Sequence, residues 1–431
     1  HYRHSTKSHG ISEPVMSRSS NVFRVAVIGA GNRGMHLSKQ LLEVDPGIEI
    51  HAVADPDEKN RSLMAGQFGI DATRIFSDWH NLFDHPTDCH AAIVATKDHL
   101  HTGPVLEALK RGWHVLLEKP MAHTHDDTIS IRDAWKRSGR IVSVCHSLRY
   151  RSDFNRVKSL VDQGAIGEIK SIEHREGIDP VRFSHNYGRG KWAREEDNTF
   201  LLLHKSSHDL DFIAWLVDRP CHRVSSFGGR SFFHPSHAPE HAGTRCLVDC
   251  PIEDTCFFSA RRIYLSKPPD QWPVIDVVTT EFAKDLEGEL AKGPFGRCVW
   301  RHSNDVVDHQ MVNFEFDRGC YAQFSLVGLS HRDGRYTHIF GTEGNLIFDE
   351  AAQHIMLSRF GAAPEEISLQ NPGGYHPEDR LIVQGWLNAI HSGDLSGLMV
   401  DPEEALRTHT LAFAAERSRK QNRIVDINEF D

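Results

Sequence analysis

Long apolar runs are missing from this 431-residue chain. None approaches the ~20 residues that a membrane-spanning helix needs, and the N-terminal stretch has no apolar core of the secretory-signal kind. Basic charge is also short: 49 Lys and Arg face 59 Asp and Glu, a formal net charge of −10. That balance argues against nucleic acid or an anionic membrane as the main partner. Cytoplasmic is the default location these absences leave, and in that setting the eight cysteines are not read as a disulfide framework. Histidine is the exception to scarcity. Thirty of them mean that the net charge should fall in magnitude as pH drops through ~6.5. With 25% charged and 39% hydrophobic residues the chain reads as soluble and globular, long enough for two domains. Residues 1–20 are polar and aperiodic and are expected to be an N-terminal extension; Met16 could be a natural start with residues 1–15 added to it, or the stretch could form an arm on a neighbouring subunit.

What is present starts at Phe23–Ile28, an apolar strand pattern that runs straight into Gly29-Ala30-Gly31-Asn32-Arg33-Gly34 and then a helical pattern. In such a G-x-G-x-x-G turn the first glycine permits the tight turn, the second lets a pyrophosphate approach, and the third lets helix pack on strand. Alone the motif is weak, because glycines also mark ordinary strand-to-helix turns. A second strand pattern, Ile48–Ala54, ends at Asp55, about 20 residues beyond the last glycine, where a carboxylate accepts from the adenosine ribose hydroxyls and repels a 2′-phosphate, favouring NAD over NADP. The competing reading is that Asp55 only starts the Asp55-Pro56-Asp57 turn.

The βαβ alternation continues through strands at Ala91–Thr96, Trp113–Leu117 and Ile141–Val144, with helices between, which predicts a doubly wound parallel sheet with ligands beyond the carboxyl ends of its strands. Those ends carry polar clusters: Asp55, Thr96 to His101, Glu118-Lys119-Pro120 and Cys145-His146-Ser147-Leu148-Arg149-Tyr150. Lys119 could be a solvated surface ion pair. Placed over the nicotinamide end of a cleft, its ammonium would instead hydrogen-bond a substrate hydroxyl and lower its pKa. His146 and Arg149 could equally be polar contacts between domains.

From about residue 165 the pattern changes to period two, as in Ile169–Arg175, Val312–Phe316, Tyr321–Leu326 and Thr337–Phe348, predicting a mainly antiparallel sheet. Helices are expected at about 200–216, 376–392 and 402–418. Cys246, Cys250 and Cys256 fall in a C-x3-C-x5-C spacing that suits structural zinc, with Cys298, His241 or His302 as fourth ligand. Buried thiols are the plainer alternative. Cys89, Cys145, Cys221 and Cys320 read as packing.

The set G-x-G-x-x-G, Asp55, Glu118-Lys119-Pro120 and His208-Asp209-Leu210-Asp211 resembles, over roughly residues 22 to 420, the Gfo/Idh/MocA family of nicotinamide-dependent oxidoreductases. The resemblance implies α/β plus α+β architecture: a Rossmann domain over residues 21–150, then an open, mainly antiparallel sheet domain flanked by helices over 151–431, whose final helices could pack back on the first. It also implies NAD or NADP, a sugar or cyclitol substrate, and a homo-oligomer, dimer or tetramer. His208 matches the family's usual proton acceptor. An aspartate often precedes that histidine by four residues; here His204 stands there, so Lys205, near the same helical face, is expected to take the orienting role.

The expected cofactor contacts are Gly29, Gly31, Asn32, Arg33, Gly34, Asp55, Ala95, Thr96, His101, Glu118, Lys119, His146 and Trp192; Trp192 sits in a Gly-rich loop and could instead be a clamp between domains. Arg149, Tyr150, Trp192, Arg194, His204, Lys119 and His208 are the expected substrate contacts, with Lys119, His208 and Lys205 catalytic. The activity expected is hydride transfer from a secondary hydroxyl of a sugar, glycoside or cyclitol to NAD. A glycosidase that oxidises the ring transiently, with His204 or His101 as an extra base, and a non-catalytic NAD-binding protein are the alternatives.

Overall fold

The computed structural model describes residues 22–277, 285–369 and 377–430; residues 1–20, read above as an extension, lie outside these. The chain divides into two compact units, with the boundary at Tyr150 and Arg151 and with a later stretch, up to Leu406, returning to the first unit. No helix among the described residues is long and apolar enough to cross a membrane.

In the first unit, β1 (Arg24–Ile28), β2 (Glu49–Ala54), β3 (Ile75–Phe76), β4 (Ala91–Val94), β5 (His114–Leu117) and β6 (Val142–Val144) form one sheet in the order β3-β2-β1-β4-β5-β6. Every pairing in it is parallel. Parallel strands need a helix to return each chain segment, and the helices cover both faces, so the strands are mostly apolar on both faces instead of alternating, with His51 and Ser143 as buried polar exceptions. Val25 and Val27 pack on one side with Leu37, Leu41 and Trp386. Ala26 and Ile28 pack on the other with Val105, Leu109 and Ile131. Trp386 belongs to the helix Asp379–Ser392, so this late segment covers the same face as the helix Asn32–Val44. Strand order reverses between β1 and β4, which opens a crevice at their carboxyl ends.

The second unit is built on nine strands: β7 (Ile169–Gly177), β8 (Cys221–Gly229), β9 (His309–Phe316), β10 (Cys320–Val327), β11 (Gly334–Gly341), β12 (Gly344–Asp349), β13 (His354–Arg359), β14 (Glu365–Ser368) and β15 (Val425–Asp426). Their order is β14-β13-β12-β11-β7-β10-β9-β8-β15. All neighbours are antiparallel except β7 with β10. The expected turn at Asp317–Gly319 joins β9 to β10, with Arg318 in the left-handed region at φ 59°. Burial alternates along β9 and β10, because only one face is covered. Phe154 meets Phe212 and Phe348 edge to face there, which places the helices Ser152–Asp162 and Leu201–Val217 against that face. The opposite face exposes Phe227, Met311 and Tyr321.

Candidate active site

The glycine turn separates what packing requires from what it does not. Gly29 sits at φ +95°, and a Cβ there would lie 2.4 Å from the Ala95 carbonyl oxygen at the end of β4; one on Gly34 would lie 2.0 Å from the Gly29 oxygen. Both must be glycine for the strands and helix to approach. Gly31 is different: beyond its chain neighbours, a Cβ there meets no atom of the described residues within 4 Å. Packing therefore leaves Gly31 unexplained, and room for a ligand remains as the reason. Gly31 is also the N-cap of the helix Asn32–Val44, with no capping side chain and no acidic residue of its own in the first turn, an end whose N–H groups suit a phosphate. The donor set fits a pyrophosphate. We expect Gly31→Ala to melt within about 0.5 kcal/mol of wild type and to bind NADH at least about tenfold more weakly, a loss of ~1.4 kcal/mol, in a fluorescence titration. A folded Gly31→Ala protein with wild-type NADH affinity would remove the ligand explanation.

Asp55 reaches this turn from the end of β2. Its Oδ2 accepts from Ala30 N at 2.6 Å and its Oδ1 from Asp57 N at 2.8 Å. The turn reading and the ribose reading are thus compatible, because each carboxylate oxygen retains a second acceptor position. Burial raises the Asp55 pKa, against the pull of the two N–H donors.

Two expected cofactor contacts have other partners. Arg33 Nε donates to Glu118 Oε1 at 2.7 Å, and its two terminal nitrogens donate to Asp379 at 2.6 and 3.1 Å. Burial works against its charge, but Glu118 and Asp379 outweigh it and hold the guanidinium well above its ordinary pKa. The Arg33 and Glu118 side chains thus tie the glycine-turn helix to the end of β5 and to the helix Asp379–Ser392. Lys119 follows Glu118, half-buried, with a cis peptide bond to Pro120. Ala95 and Thr96 lie at the end of β4, where Ala95 N donates to Ile28 O at 2.8 Å.

His101 is buried, with Nδ1 2.8 Å from Pro120 O and Nε2 3.2 Å from Thr96 O. It braces two strand-end loops, which takes it out of the role of a ring-proton base. His146 is fully buried. Arg149 and Tyr150 are corrected as substrate contacts: Arg149 donates to Met399 O and to Glu404 Oε2, while the Tyr150 hydroxyl donates to Gly397 O and accepts from Met399 N. Burial pushes the Tyr150 phenol up to about 12. Both side chains serve to hold the returning segment in the first unit.

In the second unit the helix Leu201–Val217 carries the expected chemistry. All its residues are buried except His204, Lys205, His208 and Trp215. The first three lie at i, i+1 and i+4, one stripe on one face. Trp192 stacks on His204 at 4.1 Å between ring centroids, 26° off parallel. Arg194 is held by Glu196 and by Ser303 Oγ at 3.2 Å. Lys205 has a partner that the sequence reading did not include: its Nζ lies 2.5 Å from Glu176 Oε1.

Behind this stripe lies a charge network that sequence reasoning missed. Arg335 donates from Nε to Asp209 Oδ1 at 2.6 Å and from a terminal nitrogen to Glu176 Oε1 at 3.0 Å. His174 Nε2 is 2.9 Å from Asp209 Oδ1 and its Nδ1 is 2.8 Å from Thr337 Oγ1. Burial opposes charge on Asp209, but Arg335 and His174 hold its pKa well below the ordinary value. Burial, then Asp209, pushes Glu176 up. The available signal was register: Glu176 pairs with Arg335, and His174 with Thr337, across β7 and β11.

Cys246, Cys250, Cys256 and Cys298 do line one cavity. Among the described residues, however, no three His, Cys, Asp or Glu side chains are disposed to hold a metal. The zinc reading is corrected to free thiols; burial pushes those of Cys256 and Cys298 up, toward the protonated form. The alternative fourth ligands have other surroundings, His241 beside Glu240 and His302 3.4 Å from Arg297.

Among known proteins, the chain is 29% identical over 225 residues to the inositol 2-dehydrogenase of Streptomyces avermitilis, covering 51% of this chain and 60% of that one. The curated relatives it matches are spanned over little more than half their length, 55% of one and 60% of two others. Levoglucosan dehydrogenase in complex with NADH and levoglucosan superposes with a TM-score of 0.68 at 18% identity, over 94% of this chain and 99% of that one. Scyllo-inositol dehydrogenase from Lactobacillus casei, with bound NAD(H) and scyllo-inositol, gives 0.65 at 17% identity, over 95% and 100%. At these identities the structural likeness is one of fold. The family models extend over both units, residues 23–146 as an oxidoreductase-family NAD-binding Rossmann fold and residues 158–427 as its C-terminal alpha/beta domain. The chain therefore belongs to the Gfo/Idh/MocA family of NAD-binding oxidoreductases.

Proposed function

We propose that the protein is an NAD-dependent dehydrogenase that oxidises a secondary hydroxyl of a sugar, glycoside or cyclitol. The observation that carries this reading is the stripe of His204, Lys205 and His208 on a helix otherwise buried apart from Trp215. Lys205 also serves an ion pair with Glu176, but two imidazoles and an ammonium grouped on one face suit a polyol, which needs several fixed donors and acceptors. NAD, when bound, supplies the hydride acceptor. His208 accepts the hydroxyl proton, Lys119 polarises the same oxygen, and Trp192, stacked on His204, shields the site from water. Asp55 favours NAD over NADP by repelling a 2′-phosphate. The names of the relatives, inositol 2-dehydrogenase and levoglucosan dehydrogenase, support the substrate class. The apolar groups Phe227, Met311 and Tyr321 on the open face of the second sheet support self-association into a homo-oligomer.

A screen of cyclitols, pyranoses and anhydrosugars with NAD, read at the NADH absorbance band, tests the proposal. At least one should yield net NADH, with NADP at least about tenfold poorer in kcat/KM, ~1.4 kcal/mol. Aglycone release from a glycoside without net NADH would replace this reading by the redox-neutral glycosidase, for which His204 remains as the extra base.

A further inference from the structure

Lys205 stands on the accessible stripe, yet its ammonium is directed by a group behind it. Its side chain is 24% exposed, while Glu176, whose Oε1 lies 2.5 Å from Nζ, is 2% exposed. Glu176 is fixed on its other sides. Its Oε2 accepts from Ser206 Oγ at 2.9 Å, and its Oε1 also accepts from Arg335 at 3.0 Å. Arg335 in turn forks onto Asp209, and its backbone N donates to Glu350 Oε2 at 2.9 Å. Thus three consecutive or near-consecutive helix residues, Lys205, Ser206 and Asp209, are bound to one network, and His208 lies within the span they define.

The charge balance explains why Lys205 belongs there. Among the described residues, Asp153, Glu176, Asp209 and Glu350 are paired in this network with Arg151, Arg335 and Lys205, and Asp209 also with the imidazole of His174. Removing the ammonium would leave the buried carboxylates still less compensated, which is costly in a low-dielectric interior. A lysine free of such a partner samples many rotamers, because its stem is flexible and its charge is strongly hydrated. Here one buried carboxylate selects the position of Nζ, and two of the three ammonium protons remain to point outward.

Resting on the dehydrogenase reading above, we propose that Glu176 is a positioning residue: its carboxylate, clamped by Arg335 and Ser206, holds Lys205 in place beside His208 as a donor to a substrate oxygen. Lys205 then acts as a donor and leaves proton acceptance to His208. A polyol with neighbouring hydroxyls suits this arrangement, one oxygen losing its proton while the next accepts from Lys205.

Residue-resolved acetylation of the full chain tests this without any turnover. With a succinimidyl acetate reagent and mass spectrometry, Glu176→Gln should acetylate Lys205 about tenfold faster than wild type does, since only the uncharged amine reacts and an ion-paired one is protected. Lys97 and Lys191, both exposed, should react equally in the two proteins, which separates release of one side chain from general loosening. Equal Lys205 rates in the two proteins overturn the proposal. Should Glu176→Gln not fold, wild type decides alone: Lys205 acetylating as fast as Lys97 overturns it. With a substrate in hand, Glu176→Gln should lower kcat without changing KM for NAD, and should have no further effect on kcat/KM in a Lys205→Met background. A polyol screen without NADH formation would sink the dehydrogenase reading and leave the labelling result standing, so the two failures are distinguishable.

Discussion

His208→Asn should lower kcat/KM for a polyol substrate by two to four orders of magnitude, the usual worth of a positioned general base (~10²–10⁴), while NADH affinity stays at the wild-type value. The two effects separate because His208 belongs to the second unit, whereas the glycine turn and Asp55 belong to the first. Asparagine keeps a polar group of similar reach but cannot accept and hold a proton near neutral pH. Under the proposed reaction, in which each group serves the substrate hydroxyl, Lys119→Met should cost a comparable factor, and the double variant should be little worse than either single one. Steady-state kinetics with a substrate from the screen, together with an NADH fluorescence titration, would measure this. A His208→Asn enzyme within about threefold of wild type, ~0.7 kcal/mol, would remove the histidine from the proton transfer.

Arg335→Met should destabilise the protein by about 3–5 kcal/mol, the cost of leaving a buried ion pair without its cation. The guanidinium is the hub: it contacts Asp209, Glu176 and Glu350, and Asp209 and Glu176 are 0% and 2% exposed. Methionine fills much of the same volume, so the loss would measure charge and hydrogen bonding more than packing. Denaturant unfolding followed by tryptophan fluorescence and far-ultraviolet dichroism should show a lowered midpoint with an unchanged slope. A loss under about 1 kcal/mol, the range of an exposed ion pair, would mean that water reaches the network and that it holds the helix less firmly than its burial indicates.

The legible parts of this protein are those written in local periodicity. Apolar runs at β1, β2, β4 and β5 separated by helical patterns predict a parallel sheet, because only strands covered on both faces can be apolar throughout. Period-two runs at β7, β9, β10 and β11 predict a sheet with one covered face, and the Asp317–Gly319 turn sets the register of β9 on β10. The helix expected near 200–216 spans Leu201–Val217. The single parallel pair, β7 with β10, was not legible, since alternation states which face a residue takes and not which strand lies beside it. The cysteine spacing misled for a related reason: it permits convergence on a metal without requiring the side chains to meet.

By itself, then, the amino-acid sequence determined the glycine turn of the NAD-binding fold and the helix to which the chemistry is assigned in the proposed function. Glycine at fixed offsets and a strand-end aspartate are local steric and hydrogen-bonding demands, and neighbouring residues are enough to express them. Only the tertiary structure decided which long charged side chains are left for a ligand. Arg33 is spoken for by Asp379, 346 residues away, Arg149 by Glu404, 255 residues away, and Lys205 by Glu176. An ion pair is chosen by whichever groups the fold removes from water together, and distance along the chain does not enter that choice.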